Sequence, residues 1–195
     1  MADGFQSILD PNSETIRKRT FSVAELDAMF DAEILSRDEK IELIEGEIIQ
    51  VNSQMMPHGA MKFNLASKLL ASLPQTYRVS VEQTVQLNNN TIVDPDIFVT
   101  PKVPLERRYV RCDEVLLAIE VADTSLAYDT GVKATLYAKA GVREMWVIDI
   151  NAKQTWVHRE PSKAGYKVVT KQAFSASLAP LFYPDAAIVV GGLLT

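Results

Sequence analysis

Cysteine is almost missing from this chain: Cys112 is the only one in 195 residues, so no internal disulfide can form. The opening stretch MADGFQSILDPNSETIRKRT lacks the apolar run of a signal-peptide core, and together these two features predict a cytoplasmic protein. Long hydrophobic runs are absent too. The longest mostly apolar stretch, AAIVVGGLL, is about half of the ~18 residues that a membrane-spanning helix needs, so no membrane role is expected. Nor is there an excess of positive charge: 20 basic against 25 acidic residues give a net charge of -5. That balance excludes the global basic field of a non-specific nucleic-acid binder, and any DNA contact must be local. No internal repeat and no low-complexity linker divides the chain.

What is present is a hydrophobic content of 47%, enough in a chain of this length for one compact core. Residues 1–20 are polar and charged without periodicity and read as a flexible N-terminal arm, leaving 21–195 as a single domain. Ser22 and Glu25 have capping-box spacing, and Leu26, Met29 and Phe30 supply a stripe, which predicts a helix from about Ser22 to Asp31. IELIEGEIIQV alternates about Glu45-Gly46 and predicts a β-hairpin. Pro57 to Leu73 predicts a core-facing helix with Met61, Leu65 and Leu69 on one stripe and Phe63, Ala66 and Leu70 beside it.

YRVSVEQTVQL and TIVDPDIFV predict two strands joined by an Asn88-Asn89-Asn90 turn, with Pro95 marking an edge or a bulge. EVLLAIEVA is too apolar to alternate and belongs at the centre of a sheet covered on both faces. Asp129 to Ala140 predicts a helix ended by Gly141, and EMWVIDI, QTWVHRE and YKVVTK predict three further strands.

Two carboxylates stand out against this background. Asp96 in VDPDIFV and Glu120 in LLAIEVAD each interrupt apolar strand sequence, where an unpaired charge costs several kcal/mol. Each needs a partner. A divalent cation is one, since magnesium prefers carboxylate and water oxygens and keeps waters that a phosphate can replace. Lys133, on the helix that follows, is then placed to orient water or stabilise phosphate charge, with Tyr137 four residues on along the same face. Two close carboxylates repel, so a metal-free site is expected to be strained. The bland alternatives are a turn carboxylate paired with a basic residue for Asp96, a solvated lysine for Lys133, and the helix N-cap for Asp129.

The order ELIEGEI, PHG, VDPDIFV and IEVADTSLAYDTGVKATLYAKAGVREMWVIDI resembles the Uma-two family, a bacterial branch of the PD-(D/E)XK nuclease superfamily of restriction-endonuclease-like proteins. The resemblance runs from about Phe21 to the C-terminus. It implies an α/β restriction-endonuclease-like core: a central mixed β-sheet flanked by helices, with an N-terminal helix and β-hairpin. It further implies a magnesium site, with manganese as a substitute ion, in which Asp96 and Glu120 are metal ligands and the main-chain carbonyl of Val121 completes the coordination. The superfamily's usual lysine, two residues after the second carboxylate, is Ala122 here, and the resemblance points to Lys133 as its replacement. Glu42, Glu47 and His58 also match family positions; Glu42 and His58 join the candidate catalytic set, while Glu47 reads equally as an exposed hairpin charge.

Asp149 reads as a turn residue at a strand end. Arg107, Arg108 and Arg111, with Tyr109 between them, form either a phosphate grip or a solvated loop. The function expected is metal-dependent hydrolysis of DNA phosphodiesters by an activated water; the alternative is a catalytically inactive binding or assembly protein on the same fold. Duplex cleavage takes two cuts, which favours a homodimer, with AAIVVGG as one contact segment.

Overall fold

A computed structural model describes residues 18–51 and 55–193, so most of the expected N-terminal arm lies outside the described residues. Helix α1, Val23–Asp31, begins with a complete capping box: Ser22 Oγ accepts from the Glu25 amide and the Glu25 carboxylate accepts from the Ser22 amide. Strands β1 (Ile41–Ile44) and β2 (Glu47–Gln50) form the expected hairpin with Ile44 opposite Glu47. Its two turn residues have φ of 50° at Glu45 and 86° at Gly46, the doubly positive pattern that matches strand twist.

A Cβ at Gly46 would sit 2.5 Å from Thr20 Cβ and 3.0 Å from the Phe21 amide nitrogen. Gly46→Ala is therefore expected to lower stability by roughly 1–3 kcal/mol, measured as the shift in the urea midpoint. An unchanged midpoint would mean that Phe21 does not pack on this turn.

Helix α2, Met56–Ser72, carries Pro57 in its first turn and buries Met61, Leu65 and Leu69. Phe63 and Leu70, expected beside that stripe, instead face outward at 71% and 66% exposure. The reason is angular: two residues along a helix is a rotation of about 200°, which carries Phe63 away from the face of Met61.

Both long strands read from the sequence are broken. YRVSVEQTVQL becomes β3 (Tyr77–Val81) and β4 (Val85–Asn88), and TIVDPDIFV becomes β5 (Thr91–Val93) and β6 (Ile97–Pro101). The Pro95 signal thus marks a change of sheet, because a residue with no N–H cannot carry a ladder through. The breaks are tied together where the Glu82 amide, at a residue with φ of 48°, donates to the Asp96 carbonyl at 3.2 Å.

The remaining strands are β7 (Val110–Arg111), β8 (Leu117–Ala122), β9 (Glu144–Asp149), β10 (Gln154–Ser162), β11 (Gly165–Ala173), β12 (Ser177–Leu178) and β13 (Ile188–Val189). Between β8 and β9 the chain makes α3 (Leu126–Tyr128), a π-helical turn (Asp129–Lys133) and α4 (Ala134–Ala140), stopped by Gly141 in the left-handed region. Among the described residues, the strands pair in the orders β2-β1-β5-β4-β7, β11-β10-β9-β8-β6-β3 and β12-β13. The six-stranded sheet is mixed: β8 and β9 are parallel across the helical crossover, and its other pairs are antiparallel.

Strand β8 lies inside that sheet with all its residues buried, as its apolar sequence predicts. Leu117, Ile119 and Val121 face α2, while Ala118 and Ala122 face α4, giving one core layer on each side. Ala186, Ile188 and Val190 of the AAIVVGG segment are buried in the α2-side layer. These three finish the core, while Val189 of the same segment is 47% exposed.

Candidate active site

The antiparallel register of β6 and β8 ends with Ile97 opposite Ile119, and Asp96 and Glu120 are the next residues beyond that last pair. Asp96 itself lies just before β6, and its Oδ2 accepts from the Val121 amide at 2.8 Å, so the ladder continues through a side chain. Both carboxylates are buried.

Lys133 reaches this pair from the π-helical turn. Its Nζ lies 3.2 Å from Glu120 Oε1 and 3.0 Å from Glu42 Oε1. One turn later Tyr137, fully buried, donates its hydroxyl to the same Glu120 oxygen at 2.9 Å. A π-turn widens the helix at one point, a feature concentrated at functional sites, and here it carries Lys133 and Asp129 inward together. Asp129 is not the helix N-cap: the helical run starts three residues earlier, and its Oδ2 accepts from Ser125 Oγ at 2.5 Å. Glu42, from β1, accepts the Asp94 amide through Oε1 at 3.0 Å, while its buried Oε2 has no hydrogen-bond partner among the described residues.

Burial pushes the Glu120 carboxyl up to about 8, with Lys133 opposing the rise and Asp96, Asp129 and Glu42 adding to it. Burial by itself would lower the Lys133 ammonium, but Glu120, Glu42 and Asp129 outweigh it and hold the pKa above the ordinary lysine value. Lys133 is thus a permanent cation inside an acidic cluster.

Asp96 is held from the other side by α2. His58 Nε2 lies 3.1 Å from Asp96 Oδ2, and Lys62 Nζ lies 3.6 Å from Oδ1 and 2.5 Å from Glu82 Oε1. Burial works to raise the Asp96 carboxyl, but its contact with His58 leads the opposing effects and leaves it below the usual carboxylate value. Lys62 was missed from the sequence. Its signal is the i, i+4 spacing from His58, which puts a lysine on the buried face of an otherwise apolar helix.

Lys133 sits against Glu42 and Glu120, and His58 with Lys62 against Asp96, yet the neighbouring carboxylates still help to raise Glu120, so part of the strain expected of a metal-free site remains. Among the described residues, no group of three or more His, Cys, Asp or Glu side chains is arranged to hold a metal ion. The donor set nevertheless suits a hard cation that retains several waters, because Asp96 and Glu120 would supply carboxylate oxygens and both side-chain donors to Glu120 take Oε1.

Five of the residues singled out from sequence are buried and fall into two contact groups, Glu120, Lys133 and Glu42 in one and Asp96 and His58 in the other, which meet where Asp96 accepts from the amide of Val121, the residue after Glu120. Val121 contributes its amide to Asp96. Glu47 is drawn away into an exposed ion pair with Lys18. The arginine cluster is occupied locally: Arg108 pairs with Glu106 and Glu114, and Arg111 with Asp113. Asp149 caps its turn, accepting from the Ala152 amide and the Gln154 side chain. A further buried acid, Glu144, takes hydrogen bonds from Trp146, Arg159 and the Leu181 amide and anchors the C-terminal segment.

This mixed-sheet architecture belongs to the restriction-endonuclease-like α/β class. A crystal structure titled as that of a putative nuclease belonging to DUF820, from Anabaena variabilis ATCC 29413, has the same fold. It matches with a TM-score of 0.68 at 20% identity, over 84% of this chain and 94% of that one. The chain belongs to the Uma2 family, described as "putative restriction endonuclease", whose model matches residues 24–191. No curated protein matches the chain.

Proposed function

We propose that this protein is a magnesium-dependent endonuclease that hydrolyses DNA phosphodiester bonds. The observation that carries the reading is that Asp96 and Glu120, both buried, adjoin the last β6–β8 pair, with Lys133 Nζ 3.2 Å from Glu120 Oε1. Asp96, Glu120 and the Val121 carbonyl are the ligands, and manganese is the expected substitute ion. When bound, the cation would polarise the scissile phosphate and lower the pKa of a water.

The protein's own groups do the rest. Tyr137 orients the Glu120 carboxylate, and Glu42 holds Lys133 against it. The Lys133 ammonium stabilises charge that develops on the phosphate, which requires its position in space and no particular sequence slot. His58 and Lys62 orient Asp96 from α2. Residues 21–195 act as a single unit, the protein works in the cytoplasm, and two copies supply one cut each.

The test is conversion of supercoiled plasmid by purified protein with magnesium and its arrest by chelation. Glu120 must lose its proton to bind a cation, so magnesium affinity, read by calorimetry, is expected to rise as pH is raised through about 8. Affinity independent of pH across this range would count against Glu120 as a ligand.

A second reading, an inactive nuclease-fold binding or assembly protein, is favoured by one observation: each carboxylate already has a lysine beside it within the chain, Lys62 at Asp96 and Lys133 at Glu120 and Glu42. Magnesium separates the two. A working site gains thermal stability from the ion, whereas a scaffold shows no such gain.

A further inference from the structure

The outer face of α2 is apolar and has no partner within the described residues. Met56 is 87% exposed, Phe63 71% and Leu70 66%, and Ala60, Ser67 and Ala71 between and beside them are exposed as well. Met56, Ala60, Phe63, Ser67 and Leu70 are separated by four, three, four and three residues, the spacing of a seam along which one helix packs on another.

We propose that two copies of the chain pair through this face, α2 against α2, antiparallel about a two-fold axis at the level of Leu65. Such an axis sets Phe63 opposite Ser67 and Leu70 opposite Ala60, so each large side chain meets a small one and the two backbones can approach closely. The seam contains no charged residue, so self-contact brings no like charges together. The same lack of charge leaves nothing to recognise an acidic peptide or a phosphate backbone. The seam offers on the order of 500 Å² per copy, about 1,000 Å² in all, the lower end of specific interfaces, which sets the expected affinity in the micromolar range.

The pairing rests on the shape of α2 and is independent of the nuclease reading, although His58 and Lys62 on the inner face of the same helix would link its position to Asp96. The test is sedimentation equilibrium of the full chain over a concentration series extending to high micromolar. Wild type is expected to show a monomer–dimer equilibrium that Phe63→Glu and Leu70→Glu each weaken by at least about tenfold. Val169→Glu, on the exposed face of β11, is expected to leave it unchanged. Circular dichroism melts establish that the variants fold, which the exposure of Phe63 and Leu70 favours. A wild type that stays monomeric throughout, or a dimer that survives both glutamates, overturns the proposal; the first result would assign the seam to another occupant, such as residues 1–17. Loss of dimer with cleavage retained would leave the nuclease reading standing.

Discussion

Asp96→Asn and Glu120→Gln are each expected to reduce magnesium-dependent cleavage of plasmid DNA by about a thousandfold or more. Both changes keep size and an acceptor oxygen, so the Val121 amide still has a partner at position 96 and the Tyr137 hydroxyl one at position 120. What each removes is the negative charge that a hard cation requires, and a neutral amide binds magnesium far more weakly than a carboxylate. Because the two residues are proposed to hold one cation, the double variant is expected to be little worse than either single one. Cleavage at wild-type rates by both single variants would place the chemistry elsewhere, and additive losses would separate the two residues functionally.

Lys133→Met is expected to cost about 3–5 kcal/mol of stability as well as activity, the usual penalty for removing one partner of a buried ion pair. Lys133 is 7% exposed, and its ammonium faces Glu42 and Glu120 directly with Asp129 nearby, so methionine strands several carboxylates at once. The sign with pH follows from the raised pKa. The folded value lies above the unfolded one, so the lysine's contribution is fully present below the ordinary lysine pKa and is lost only as pH climbs through the raised value. Urea unfolding at about pH 9, above the value near 8 to which Glu120 is raised and below the ordinary lysine pKa, therefore reads the full effect. Adding Glu42→Gln to Lys133→Met is expected to recover part of the stability and none of the cleavage, since it removes a stranded charge without restoring the ammonium. Recovery of both would make Lys133 a structural counter-ion with no part in catalysis.

Short-range patterns were readable in the chain. The capping box at Ser22 and Glu25, the Glu45-Gly46 turn, the Met61-Leu65-Leu69 stripe and the Gly141 stop each depend on residues within a few positions, and each forms as expected. The burial of Glu120 was also foreseeable, because a charge amid LLAIEVA has nowhere else to go. The spacing from His58 marks Lys62 as lying on the buried face of its helix, but its partners Glu82 and Asp96 were not readable, since a contact on another element leaves no local trace. The same holds for the π-turn: its sequence DTGVK is compatible with an ordinary helix, and packing against the carboxylates of β1 and β8 is what distinguishes Lys133 from a solvated residue.

The residue order by itself therefore determined which segments become helix or strand, where a core layer must lie on each side of β8, and which charges had to be buried. Tertiary structure alone decided that the strands break at Glu82 and Pro95 to serve two sheets, that Asp96 and Glu120 adjoin the last β6–β8 pair, and that Lys133 lies between Glu42 and Glu120. The division has one physical cause: periodicity and capping act between near neighbours along the chain, whereas register and ion pairing are set by contacts among residues that only folding makes adjacent.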